Sequence, residues 1–178
     1  MSIFKFLGLA TDERPPSKDA AETETVRKIV EELDQLEPRR ARFVAAFAYI
    51  LSRVARADMN ISEEETAAME KIVAERGGIP AAQAVIVVQM AKTQSLLFGG
   101  TENFQVTKEF NRIASREEKM ALLDCLFAVS AADHSVTTTE SNVIRQIADE
   151  LRLEHGDYIE VRTRFRDDLA VLKKPGES

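Results

Sequence analysis

A nine-residue phrase occurs twice in this chain, and the repeat limits what the chain can fold into. The first copy is Ala57-Asp58-Met59-Asn60-Ile61-Ser62-Glu63-Glu64-Glu65, and the second is Ala132-Asp133-His134-Ser135-Val136-Thr137-Thr138-Thr139-Glu140. The offset is constant, since 133 − 58 = 75, 136 − 61 = 75 and 140 − 65 = 75. It extends outward: Phe47, Leu51 and Val54 fall on Leu122, Leu126 and Val129, and Met69 and Ile72 fall on Ile144 and Ile147. Both flanks carry apolar residues at helical spacing. The phrase is therefore a loop between two amphipathic helices, and the unit is duplicated. Any chemistry is expected at these loops.

Helical periodicity continues through the rest of the chain. Val26, Ile29, Val30, Leu33 and Leu36 mark one helix. Pro38 suits the first turn of the next, where its missing N–H costs nothing, and Phe43, Phe47, Ile50, Leu51 and Val54 share one face of it. Ser62 opens a third helix, and Gly77-Gly78 closes it. Val85-Ile86-Val87-Val88 has strand-like composition, but no second strand candidate exists to pair with it. It reads as a buried helix running to Gly99-Gly100. A shorter helix follows at Val106–Ile113, Ser115 opens the repeat's second long helix, another helix follows the second loop, and a last amphipathic helix carries Tyr158, Val161, Phe165, Leu169 and Leu172. His155, beside Gly156, reads as a helix-end residue favoured by the dipole.

The expected fold is all-α, a single bundle of about seven to eight helices with an internal pseudo-twofold helix–loop–helix repeat. Its domain spans 20–172, between an N-terminal tail (1–19) and a C-terminal tail (173–178). With 178 residues, 44% of them hydrophobic, both halves can share one core. Arg14-Pro15-Pro16-Ser17 breaks any helix in the N-terminal tail. The apolar patch ahead of it (Ile3, Phe4, Phe6, Leu7) reads as a segment that docks back or stays disordered, or as a short anchor for a membrane surface or partner.

Composition excludes several function classes. A net charge of −6 without a dense Lys/Arg stripe argues against nucleic-acid binding. Arg39, Arg40 and Arg42 form the one notable basic cluster and read as a paired, solvated face. A single cysteine suits a reducing compartment, and Cys125 lies in an apolar helical stretch as a small hydrophobe. No apolar run approaches the roughly 18 residues of a membrane span. Ser2–Leu9 is too short for a signal peptide, and a cytoplasmic protein is expected. Phosphate-cradling Gly-rich loops, G-x-S-x-G and H-E-x-x-H are all absent, so no catalytic residue is assigned and the protein is expected not to be an enzyme.

Two readings of the repeated loop compete. Ser62-x-x-Glu65 and Thr137-x-x-Glu140 are capping boxes, in which the hydroxyl accepts the N3 amide and the glutamate reaches back to the N-cap amide. Ser115-x-x-Glu118, outside the repeat, has the same form, so capping explains Glu65 and Glu140 without any ligand. Asp58 and Asp133 are not explained this way. An acid at a helix C-terminus faces the negative end of the dipole and calls for a positive neighbour. Arg53, Arg56, a helix N-terminus of the other unit and a bound cation are the candidates. If the loops lie together, Asp58, Glu65, Asp133 and Glu140 converge, with Asn60 and Ser135 as neutral oxygens. Crowded carboxylates raise one another's pKa unless a cation neutralises them. Such oxygen donors favour Ca²⁺ or Mg²⁺ over Zn²⁺. The stretch is not an EF-hand, being too short and lacking the central glycine. His134 reads as an exposed spacer.

The duplicated A-D-x-x-[IV]-[ST]-x-x-E phrase, each copy between amphipathic helices, resembles the TerB-like family of tellurite-resistance proteins. Related domains occur in DjlA-type co-chaperones, although the J-domain's His-Pro-Asp is absent here. The resemblance covers roughly residues 22–170. It implies a cytoplasmic helical bundle, a divalent-cation site at the acidic loops carried by Asp58, Glu65, Asp133 and Glu140, and a stress-response role through partner proteins, some at the membrane. A metal-free helical adaptor recruiting protein partners is the alternative. The family usually has Gly after the Asp, where this chain has Met59 and His134. If that position takes positive φ, both side chains strain the turn.

Overall fold

A computed structural model describes residues 20–55, 62–93 and 103–172. Among them are eight α-helices: α1 (Ala20–Asp34), α2 (Pro38–Val54), α3 (Glu63–Gly77), α4 (Ala81–Lys92), α5 (Asn103–Ile113), α6 (Arg116–Ser130), α7 (Thr138–Glu150) and α8 (His155–Arg164). The all-α bundle is as expected, and none of these helices is long and apolar enough to cross a membrane. The tails 1–19 and 173–178, with the N-terminal apolar patch, lie outside the described residues.

Local chemistry accounts for most of the boundaries. Pro38 occupies the first turn of α2. Ser62, Ser115 and Thr137 each accept the N3 amide while the N3 glutamate accepts the cap amide, so all three expected capping boxes form. A fourth box, with Glu154 and Asp157, opens α8. Gly78 ends α3 in the left-handed region (φ 64°), where a side chain would be strained.

Three expectations about the helices change. The Val85–Val88 run is helical, but α4 stops at Lys92, with Thr93 capping it by donating Oγ1 to the Gln89 carbonyl at 2.8 Å; Gly99-Gly100 lies outside the described residues. The last helix ends at Arg164. Beyond it, short 3-10 turns (Arg166–Asp168 and Ala170–Leu172) flank Leu169, which turns extended and forms a parallel bridge with Val136. His155 and Gly156 begin α8 rather than punctuating its approach, so His155 sits at the positive end of that helix's dipole.

The core is built on α2, which is buried along almost its whole length from Ala41 to Val54 and packs most extensively on α4 and α5. The α3 helix packs on α6 and α4. Phe43, Phe47 and Phe110 form one aromatic group, with ring centroids 5.2–6.4 Å apart. Phe127, Phe165 and Tyr158 form another, with Phe127 stacked on Phe165 at 5.6 Å. Each such ring removed from water stabilises the fold by about 1.5–3 kcal/mol.

The arginine cluster is paired within the chain, as expected. Arg39 donates to the Ile113 carbonyl at 2.5 Å, Arg40 to Gln83 Oε1 at 2.6 Å, and Arg42 lies 4.0 Å from Glu109. Cys125 is fully buried, as expected, and burial followed by the neighbouring Asp124 charge pushes its thiol up to about 12. The thiolate is the reactive species, so the native protein should not react with a thiol-specific disulfide reagent at mildly alkaline pH. One equivalent should react after unfolding in guanidinium. Rapid labelling of the folded chain would contradict this burial.

Candidate functional site

Residues that flank both copies of the phrase line one cleft of about 380 Å³. Its floor is the end of α2 (Val54, Ala55) and the end of α6 (Val129, Ser130). Ala68, Met69 and Ile72 of α3 form an apolar wall, and Glu65 and Glu140 stand at the starts of α3 and α7. Three pairs of these lining residues keep the sequence offset: 129 − 54 = 75, 130 − 55 = 75 and 140 − 65 = 75. The repeat thus brings equivalent residues to the same cleft.

Each glutamate is held by its capping box. Ser62 donates its amide to Glu65 Oε2 at 2.8 Å, and Glu65 donates its own amide to Ser62 Oγ at 3.1 Å. Thr137 donates both its amide (2.8 Å) and its hydroxyl (2.7 Å) to Glu140 Oε2. The bonds from the Ser62 backbone, then from its side chain, hold the Glu65 carboxyl below its ordinary range. Each bond that a carboxylate accepts here falls on Oε2, and among the described residues none engages Oε1 of either glutamate. The boxes fix the two carboxylates and leave an oxygen on each for a ligand.

Ser130 supplies a third oxygen. It is 6% exposed, and its Oγ is buried with no hydrogen-bond partner among the described residues. Leaving a buried hydroxyl unsatisfied costs about 1–3 kcal/mol, and such an atom calls for a specific explanation. Its position on the cleft offers one, because a ligand there can take up the hydroxyl. Ser130 lies outside the repeated phrase, and its offset partner is Ala55, so no sequence pattern singled it out.

The second loop is tightly built. After the 3-10 turn Ala131–Asp133, His134 adopts φ 63°, the left-handed conformation that favours glycine. Its side chain is 91% exposed, with Nδ1 3.8 Å from Asp168. Val136 then donates to the Asp168 carbonyl (2.7 Å) and accepts from the Ala170 amide (3.0 Å), so the C-terminal segment clamps the loop. Asp133 closes the 3-10 turn next to Ala132, which lines the cleft. Asp58, Met59, Asn60 and Arg56 lie outside the described residues.

Of the four candidate acids, Glu65 and Glu140 are therefore seen at one place. Among the described residues no group of three or more His, Cys, Asp or Glu gathers to hold a metal. The donors present, two carboxylate oxygens and a hydroxyl, are hard oxygen ligands that suit Ca²⁺ or Mg²⁺. Arg53, a candidate counter-charge for Asp58, is committed elsewhere. Its guanidinium forks onto Glu150 of α7, at 2.7 and 3.1 Å.

A family model described as tellurite resistance protein TerB matches residues 43–163, from α2 into α8 and across both loops. No curated protein and no solved structure matches the chain.

Proposed function

Because this chain belongs to the tellurite-resistance TerB family, we propose that it works without catalysis, holding a divalent cation in the cleft between its two acidic loops. The observation that carries this reading is the meeting of Glu65, Glu140 and the unpartnered Ser130 hydroxyl on one cleft. Glu65 Oε1, Glu140 Oε1 and Ser130 Oγ would supply oxygens, with Asp58 and Asp133 completing the set from the loops. Bound charge there would also offset the unfavourable position of Asp133 just after the C-terminus of α6. The cation's role is structural: it ties together two loops far apart in sequence and so fixes a surface that protein partners in the stress response read. A cytoplasmic location and partners at the membrane surface belong to the same reading.

A metal-free adaptor is the second reading. It is favoured by the three capping boxes, which account for both glutamates with no ligand at all. Glutamine can replace glutamate in a capping box, and this separates the two readings. Chelator-stripped protein should melt about 5–10 °C higher with Ca²⁺ or Mg²⁺ at about a hundred times its dissociation constant. Glu65→Gln/Glu140→Gln should keep its helix content and lose that rise, as should Asp58→Asn/Asp133→Asn. Absence of any rise at millimolar cation would leave the metal-free adaptor, and an undiminished rise in both double variants would move the cation out of this cleft and overturn the proposed site.

A further inference from the structure

A second cleft, of about 900 Å³, lies between α5, the first turn of α6 and the turn that follows α7. Four cations line it (Lys108, Arg112, Lys119 and Arg152) against one acid, Glu109. The local balance is 4 − 1 = +3, in a chain whose net charge is −6. The rest of the protein therefore carries −6 − 3 = −9. An anion arriving from solvent is repelled by most of the molecule and drawn to this cleft.

The cations are not there to pair with one another's neighbours. Glu109 is taken by Arg112, which forks onto it at 2.6 and 3.0 Å. Lys119 donates to the neutral Asn111 amide oxygen. Lys108 and Arg152 have exposed side chains with no hydrogen bond or ion pair among the described residues. Burial, and after it the Arg152 charge, hold the Lys119 ammonium below its ordinary range. Arg152, at φ 57°, is the left-handed residue that closes α7, where the Leu153 amide donates to the Ala148 carbonyl at 3.0 Å, so the helix end itself fixes where its guanidinium starts.

We infer that this cleft binds a phosphate-bearing anion with at least two phosphoryl groups. Three uncompensated positive charges match a multivalent anion better than a single carboxylate. Guanidinium forks and lysine ammonium groups are the usual cradle of phosphate oxygens. The volume lies at the upper end of the roughly 300–1,000 Å³ of small-molecule sites, so more than one phosphate has room. The source is a free polyphosphorylated metabolite or a phosphorylated lipid headgroup, which share this chemistry. The inference is independent of the cation cleft.

The test is calorimetric titration of the full chain with inorganic pyrophosphate, chelator-stripped and without divalent metal, so that pyrophosphate cannot act by sequestering a cation. Saturable one-to-one binding is expected, about tenfold or more tighter than for orthophosphate and weakened by added salt. Lys119→Ala/Arg152→Ala, checked for unchanged helix content by circular dichroism, should bind about tenfold or more weakly. Arg27→Ala, on the exposed face of α1, should bind as the parent does. Vesicles of phosphatidylcholine carrying a phosphatidylinositol bisphosphate separate the sources. Co-sedimentation that pyrophosphate reverses assigns the lipid headgroup, and pyrophosphate binding without co-sedimentation assigns the free anion. No saturable pyrophosphate binding, or equal binding by the double variant, overturns the inference.

Discussion

Glu150→Ala is expected to destabilise the protein by about 3 kcal/mol, the lower end of what breaking a buried ion pair costs. Glu150 is the last residue of α7 and receives the Arg53 fork from α2, the Thr107 hydroxyl from α5 at 3.0 Å and the Gln146 amide at 3.1 Å. Three helices therefore converge on one carboxylate. The Arg53 side chain is only 10% exposed, so removing Glu150 leaves a guanidinium that water reaches poorly. The buried Thr107 loses this hydrogen bond in the same step. The loss is a large share of the roughly 5–15 kcal/mol that holds a domain together. Urea denaturation measures it. A double-mutant cycle with Arg53→Met should return a coupling of about 1–3 kcal/mol, because most of the single-variant cost is the orphaned charge. A loss below about 1 kcal/mol would mean that water already screens the pair.

The same residue gives the stability curve a direction in acid. Burial pushes the Glu150 carboxyl up, but the hydrogen bonds and charge of Arg53, with those of Thr107 and Gln146, outweigh it and leave the group below its ordinary value. A depressed native value means the contribution is complete above the unfolded value of about 4.3 and disappears as pH falls through the native one. The parent should keep its advantage over Glu150→Ala from neutrality down to about 4.3 and lose it as the pH falls further, through the native value.

Phe47→Ala should cost about 3–5 kcal/mol, the range for deleting a buried ring. Phe47 is fully buried, with its centroid 6.1 Å from that of Phe43 and 6.4 Å from that of Phe110. It also meets the end of α3, where a Cβ added to Gly77 would lie 2.8 Å from the ring's Cζ. Gly77→Ala, normally favourable inside a helix by about 1 kcal/mol, should therefore destabilise here by about 1–3 kcal/mol. In a Phe47→Leu background that penalty should shrink or change sign. Thermal melts of the four proteins check the pattern, and strictly additive effects would show that ring and glycine do not touch.

Most of the helical layout was legible because it depends on local rules. Ser62, Ser115 and Thr137 announce their helices through chemistry completed within four residues. Pro38 and Gly78 mark boundaries by steric limits on single residues. What was hidden depends on distance. Arg53 could be read as a partner for Asp58, five residues away, but its geometry selects Glu150, 97 residues away. Leu169 keeps the helical spacing of Val161 and Phe165, yet it leaves the helix to bridge Val136, and periodicity carries no trace of that bridge. At the candidate site the glutamates were visible as a repeated pattern. Ser130 was not, because an unpartnered hydroxyl becomes conspicuous only once it is buried.

Helix α7 has a carboxylate secured near each end, Glu140 at the cleft and Glu150 on Arg53. Arg53 directly precedes Val54, which lines the same cleft. A helix of 13 residues is a rod about 20 Å long and hard to compress. Helix, ion pair and α2 thus brace one side of the cleft, so the edge that carries Glu140 is anchored by a contact at the far end of its own helix.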